Sequence, residues 1–281
     1  MVTGRSRTTD EFCRALRADQ GYRTERRWRW LRFWGLGGLR SLCFHVRILL
    51  VYLVARRLIR SGVLGADDYI ERSLASLRVA EVAGGKVEVE GLGHVAGVRG
   101  PVVFVGNHMS TLETLLLPGF MLPFKDVAFV VKDSLLSYPV FGPIMRAVKH
   151  IPVARVNPRE DLKAVLTQGE AMLRAGVLVV IFPQATRSVE FSVEEFNTLG
   201  VKLAGRAGVP VVPLALKTDF MGNGRVFKDL GLVDDRKTIH FAFGAPLGVA
   251  GNGRDAHEAV VAFITAYLKQ WGGRVKGVEV R

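Results

Sequence analysis

The chain has 281 residues, of which 49% are hydrophobic and 23% charged, with a formal net charge of +13. That content supports a sizeable core and excludes a disordered chain, while two cysteines, Cys13 and Cys43, form no disulfide framework or metal-type spacing and fit a reducing, intracellular setting. The charge excess predicts attraction to an anionic partner: a membrane surface, a nucleic acid or a phosphorylated substrate.

Most of that charge lies at the front. Residues 1–60 carry fourteen arginines against four acids, which is ten of the thirteen net positive charges. Residues 1–25 read as a basic N-terminal tail and 26–80 as a membrane-associating helical segment. Trp28, Trp30, Phe33 and Trp34 alternate with arginines, a mixture suited to the headgroup layer of a bilayer. From Leu36 to Ala55 the chain turns apolar, but Arg40, His45 and Arg47 interrupt it. About eleven strong apolar residues at roughly −0.5 kcal/mol nearly cancel against two arginines at up to about +3 kcal/mol each. Residues 26–60 are therefore expected as a basic amphipathic hairpin, one or two helices lying in or dipping into the interface, not as a spanning segment. A hairpin packed on the soluble domain is the alternative. The arginines also argue against a cleaved signal peptide.

Beyond residue 80 the pattern becomes that of a separate domain, 81–281. "KVEVEGL" (86–92) alternates like a strand with one exposed side, and the glycines of "GLGHVAG" (91–97) suggest a turn. "GPVVFVGN" (100–107) is a β-branched run typical of a strand buried on both faces. Ser110-Thr111-Leu112-Glu113 fits a helix capping box. Strand-like "VAFVVK" (127–132) and extended "HIPVARV" (150–156) follow, then a helix over 159–176 closed by glycine. "VLVVIFP" (177–183), "VPVVPLALK" (209–217) and "TIHFAFGAPL" read as strands, and "DAHEAVVAFITAYLKQW" as a helix. This alternation predicts an α/β fold: a mixed, largely parallel sheet flanked by helices on both faces, preceded by the basic helical hairpin.

No G-x-S-x-G elbow, phosphate-binding G-x-x-x-x-G-K-[ST] or G-x-G-x-x-G motif occurs, so acyl-enzyme and nucleotide chemistries lose support. Polar residues instead gather at the expected carboxyl ends of strands, where open α/β sheets place their sites: His108 and Glu113 after 101–106, "FPQATRS" (182–188) after 177–181, and Arg155 after "HIPVA". Each has a plainer reading, as a capped helix start, a proline turn or a surface cation. Five residues on a regular helix rotate by about 140°, so His108 can meet Glu113 only if residues 107–109 are non-helical and the helix starts near Ser110.

Together these blocks resemble the glycerolipid acyltransferase family, whose bacterial members include 1-acylglycerol-3-phosphate acyltransferases. "NHMSTLE" is similar to its N-H-x-x-x-x-D block, here in an H-x-x-x-x-E variant. "KDSLLSYPVFGPIMRAVKHIPVAR", "FPQATRS" and "GVPVVPLAL" resemble the three blocks that follow, in the family's order, and the likeness covers roughly residues 85–270. The resemblance implies transfer of a fatty acyl group from a coenzyme A or acyl carrier protein thioester to the hydroxyl of a lysophospholipid or acylglycerol phosphate. His108 would be the general base, oriented by Glu113. Arg155 and Arg187 would hold the phosphate, with Lys132, Thr186, Gln184 and Ser110 as further substrate contacts and the helix N-terminus offered to the oxyanion or phosphate. No metal or prosthetic group is implied. Membrane lipids and the thioester carrier are the expected partners, without nucleic acid, and the expected location is the cytoplasmic face of the membrane, peripheral or monotopic.

Several positions depart from the family pattern. Glu113 replaces aspartate, adding a methylene that would loosen the contact or move the histidine. Gln184 and Ala185 replace glutamate and glycine, which puts the acceptor headgroup in question, and His150 stands where glycine is common. A catalytically impaired lipid-binding protein on the same fold is therefore the main alternative, and an arginine-rich nucleic-acid binder rests on charge alone.

Overall fold

A computed structural model describes residues 9–24, 37–60, 66–138, 141–147, 149–224 and 228–277. Among them the strands are β1 (Tyr22–Arg23), β2 (Lys86–Glu90), β3 (Val103–Gly106), β4 (Val127–Lys132), β5 (His150–Val153), β6 (Leu178–Ile181), β7 (Glu190–Ser192), β8 (Val211–Lys217), β9 (Thr238–Phe243) and β10 (Arg274–Lys276). Eight of them form one sheet in the order β1-β2-β9-β8-β3-β6-β4-β5, and β7 pairs with β10 apart from it. Within the large sheet only β1–β2 and β8–β9 are antiparallel, so the mixed, largely parallel α/β expectation is met.

The apolar runs explain the layers. Side chains alternate across a strand, and both faces of the central strands are buried. Phe104 of β3 and Val212, Leu214 and Leu216 of β8 join one core, while Val103, Val105, Val211 and Ala215 join the other. The first core is covered by α1 (Thr9–Asp19), α3 (Ala66–Val82) and α5 (Leu112–Met121); the second by α7 (Pro158–Arg174), α8 (Leu199–Ala207) and α9 (Arg254–Gln270). The short helices α4 (Leu92–Ala96) and α6 (Phe141–Ala147) connect strands. Gly91 holds a left-handed φ of 76° just before α4, so "GLGHVAG" forms one helical turn where a simple turn was expected.

The N-terminal expectations change most. The stretch read as a basic tail folds onto the domain: Phe12, Cys13 and Leu16 of α1 are buried, and β1 pairs with β2 through Tyr22↔Val89. Buried Leu74 and Leu77 of α3 lie in the same core as Val87 and Val89, so packing crosses the boundary expected at residues 80 and 81. Acidic Asp67 and Asp68 open α3 and Tyr69, Ile70, Leu74 and Leu77 supply its inner face, which hydrophobic burial pins to the sheet. Of the one or two helices expected within 26–60, the described part is a single helix, α2 (Gly37–Arg60); the tryptophan-rich stretch lies outside the described residues. Ser41, Phe44, Ile48 and Tyr52 make the buried face of α2, at helical spacing, while Leu42, Val46, Leu49, Leu50, Leu53 and Val54 are exposed. Among the described residues no helix is long and apolar enough to cross a membrane.

His150, in place of the common glycine, sits on edge strand β5 with its ring 6.1 Å from that of Phe129. Burial lowers its pKa to about 4, so the ring is neutral at physiological pH.

Candidate active site

Strands β8, β3, β6, β4 and β5 are mutually parallel neighbours, so their carboxyl ends line up along one edge. Read along that edge, Thr218 follows β8, His108 follows β3, Gln184 to Arg187 follow β6, Lys132 ends β4 and Arg155 follows β5. Asn107 joins the first two strand ends. Its Nδ2 donates to the Leu216 carbonyl at 2.7 Å and its Oδ1 accepts from the Leu216 N–H at 2.8 Å, replacing ladder bonds where β3 leaves the sheet.

Residues 107–110 are non-helical and α5 begins at Leu112, as contact between His108 and Glu113 requires. The His108 Nδ1 lies 2.9 Å from Glu113 Oε1, an ordinary hydrogen bond. The extra methylene of Glu113 therefore does not loosen the pair. The carboxylate is fully buried while the histidine side chain is 13% exposed, which seals the orienting group and leaves the ring at the surface of the site. Phe182 stacks on the ring with centroids 4.6 Å apart and planes 8° apart. The remaining freedom of the imidazole is thereby restricted from one face.

Glu113 does more than orient the ring. Its oxygens accept from the Met109 N–H at 2.6 Å, the Ser110 N–H at 2.9 Å, the Ser110 hydroxyl at 3.0 Å and the Thr218 hydroxyl at 2.5 Å. The Glu113 half of the capping box is present in its bond from the Ser110 N–H, while Ser110 Oγ accepts from the Leu112 N–H at 3.2 Å, one residue short of the box's usual partner. The carboxylate that binds the amides before α5 and the one that bonds His108 are thus the same, and the two readings of the motif do not compete. Burial pushes the Glu113 carboxyl up, but the hydrogen bond and charge of His108, then Thr218 and the Ser110 amide, outweigh it and hold the carboxyl below its usual value. An ionised Glu113 can only accept. Nδ1 therefore carries a proton, and in the neutral ring Nε2 keeps the lone pair.

Two expectations fail here for one reason. Ser110 is completely buried, bonded to Glu113 and to Thr218, and has no surface to offer a substrate. The N–H groups of Met109, Ser110 and Leu112, expected to meet an oxyanion or phosphate, are occupied by Glu113 and Ser110. Gln184 is also inward: it is buried, and its Oε1 accepts the His108 N–H at 2.6 Å. It holds the backbone of His108 where a substrate contact was expected, and a neutral amide oxygen serves as well as a carboxylate in that role.

The arginines do converge. Arg155, at a left-handed φ of 57°, reaches past β4 to donate from Nη1 to the Ala185 carbonyl at 2.5 Å. Asp161 in the first turn of α7 holds that turn by accepting from the N–H groups of Ala154 and Arg155 at 2.9 and 2.8 Å. Partial burial, then the charge of Arg187, lowers the pKa of Arg155: two cations face a common space. Arg187 Nη1 bonds Thr111 Oγ1 and Asp229 Oδ1. Thr186 accepts from Lys228 Nζ at 2.9 Å, while Lys132 stays exposed at the rim, its register partner Val153 two residues before Arg155. Thr218, Asp229 and Lys228 escaped the sequence reading. Thr218 carried a usable signal, since it ends a buried parallel strand; Asp229 and Lys228 lie far from every motif and carried none.

The Acyltransferase family model matches residues 86–217. A 1-acyl-sn-glycerol-3-phosphate acyltransferase of Pseudomonas aeruginosa strain PAO1 is 34% identical over 200 residues, 71% of this chain and 74% of that one. The chloroplastic 1-acyl-sn-glycerol-3-phosphate acyltransferase LPAT1 of Arabidopsis thaliana is 32% identical over 143 residues, 50% of this chain and 37% of that one. Among solved structures, PlsC, the 1-acyl-sn-glycerophosphate acyltransferase of Thermotoga maritima, superposes with a TM-score of 0.61 at 17% identity, covering 83% of this chain and 94% of that one, a likeness of fold. With a relative this similar over nearly three quarters of its length, and the family's four sequence blocks brought to one sheet edge, the chain belongs to the glycerolipid acyltransferase family and is an O-acyltransferase.

Proposed function

We propose that the protein transfers a fatty acyl group from a coenzyme A or acyl carrier protein thioester to the free hydroxyl of 1-acylglycerol 3-phosphate or a related lysophospholipid, with His108 as general base. The observation that carries this reading is the 2.9 Å contact between His108 Nδ1 and a fully buried Glu113 carboxylate. A glycerol hydroxyl is a weak nucleophile until its proton is taken as the new bond forms. Nε2 accepts that proton while the alkoxide oxygen attacks the thioester carbonyl. The imidazolium that results is stabilised by Glu113 on one side and by the π-face of Phe182 on the other. Collapse of the tetrahedral intermediate breaks the carbon–sulfur bond, and the Nε2 proton passes to the departing thiolate. Arg187 and Arg155 supply planar guanidinium groups for the acceptor phosphate, which fixes the hydroxyl near Nε2. This chemistry needs no metal or prosthetic group, since the base, its orienter and the anion seat are all side chains.

The same reading locates the enzyme at the cytoplasmic membrane face as a peripheral or monotopic protein. Its support is the exposed apolar face of α2, which water disfavours and the bilayer interface accepts. The decisive assay supplies purified protein with acyl thioester and lysophosphatidate and follows thiol release. His108→Ala is expected to lower kcat by about 10²–10⁴-fold with little change in fold. Thiol release that survives this substitution refutes the assigned base.

A further inference from the structure

Arg187 already has an anion. Asp229 Oδ1 lies 2.5 Å from its Nη1 and 2.7 Å from Thr111 Oγ1, at the start of α5. The pair is only partly covered, with side chains 19% exposed for Arg187 and 40% for Asp229, so a ligand can reach it. Asp229 is held there by a strap that crosses from the site to α2. The Gly231 carbonyl accepts from His45 Nε2 at 2.8 Å, the Val233 N–H donates to Ser41 Oγ at 2.9 Å, and Asp235 pairs with Arg40 at 2.5 Å. Gly231 packs against backbone so closely that a Cβ there would fall 1.6 Å from the Gly222 carbonyl oxygen. Leu230 and Leu232 flank it and are exposed, on the segment tethered to the helix whose apolar face is exposed among the described residues.

We infer that Asp229 is a specificity-determining residue of the acceptor seat. It is a carboxylate standing where a headgroup oxygen would bind Arg187, and it removes one positive charge from what the headgroup meets. The inference rests on Arg187 being an acceptor ligand, as argued above. The charged groups at the seat are Arg155, Arg187, Lys228 and Asp229, with Asp229 in contact with Arg187 and Asp161 occupied by the backbone of residues 154 and 155. A phosphomonoester brings about −1.5 to −2 charges at neutral pH, and a phosphodiester brings one. A nearby carboxylate repels the first more than the second. Asp229 thus weakens binding of every anionic headgroup and narrows the preference for a monoester over a diester, extending the enzyme's reach toward singly charged lysophospholipids.

Binding of sn-glycerol 3-phosphate and of glycerophosphoglycerol to the full chain, measured by calorimetry, tests this without requiring turnover. Asp229→Asn and Asp229→Ala are expected to tighten the monoester about fivefold and the diester less than twofold, the range expected of a half-exposed ion pair. Addition of Arg187→Ala should abolish the gain. In turnover assays the same change should appear as a lower KM for lysophosphatidate in proportion to the tighter binding, which a merely structural role would not produce. Equal tightening of both ligands, unchanged or weaker binding, or no binding by any variant overturns the inference. The general-base reading stands or falls separately, by the loss of thiol release in His108→Ala.

Discussion

Glu113 shows how one side chain can satisfy two demands that the sequence presents as rivals. Its carboxylate caps the start of α5 and orients the imidazole because residues 107–110 wrap around it, bringing the Met109 and Ser110 amides and the His108 ring to the same two oxygens. Glu113→Gln keeps the size but offers one acceptor oxygen and a donor amide, so it weakens the tautomer selection and removes the charge that stabilises imidazolium. The expected result is a fall in kcat of about a hundredfold or more with KM for the thioester nearly unchanged. Glu113→Asp shortens the reach past the Met109 and Ser110 amides and should lose both rate and stability, recovering less activity than its likeness to the family pattern suggests. The sign of the pH effect follows from the lowered carboxyl. Its stabilising contribution is complete above the unfolded carboxylate pKa near 4.3 and is lost as pH falls through the lower folded value. Melting temperature should accordingly drop more steeply with acid in the wild type than in Glu113→Gln.

Helix α5 carries the active-site turn, and its own integrity depends on a neighbour. Pro118 lies within it and has no N–H for the helical ladder. Ser73 of α3 inserts into the ladder just beyond it: its hydroxyl is within bonding distance of the Leu115 and Leu116 carbonyls, at 2.7 and 3.0 Å, and accepts the Gly119 N–H at 2.8 Å. Gly119 leaves room for this approach, since a Cβ there would come within 2.7 Å of Ser73 Oγ. Ser73→Ala strands these backbone groups in a dry interface. The expected loss is about 1–3 kcal/mol of unfolding free energy by urea titration, with a smaller fall in kcat because the displaced element begins at Thr111 and Leu112. An unchanged midpoint would show that Ser73 bears no such role. Legibility at this scale followed burial: β3, β6 and β8 were plain in the sequence as continuous apolar runs, whereas α4 was hidden because its five residues are shorter than any periodic signal.

At the scale of the whole molecule, α2 divides its surface between protein and solvent. Phe44, Ile48 and Tyr52 fasten it to the core, and Val46, Leu49, Leu50, Leu53 and Val54 face outward. Replacing Val46 and Leu50 by serine should leave the melting temperature unchanged, since both are already exposed, and should reduce co-sedimentation with anionic lipid vesicles about tenfold or more, as expected for two buried aliphatic side chains lost from a lipid contact. Equal vesicle binding by this variant and the wild type would remove α2 from the proposed membrane face. The strap of residues 228–235 joins this helix to Arg187, so α2 and the proposed acceptor seat belong to one connected unit.

The amino-acid sequence by itself determined the layered α/β class, the buried strands, and His108 with Glu113, because hydrophobic periodicity and short motifs act within a few residues along the chain. It also held the arginines at 155 and 187, which the family resemblance, and no spacing along the chain, joined at one phosphate. Only the tertiary structure decided that Ser110 and Gln184 turn inward, that Thr218 closes the carboxylate's shell from 105 residues away, that the basic N-terminus packs as α1 and β1, and that Asp229 meets Arg187. Each of these depends on which strand ends become neighbours and on which polar groups must find partners once water is excluded, and both are properties of the folded chain that no local pattern encodes.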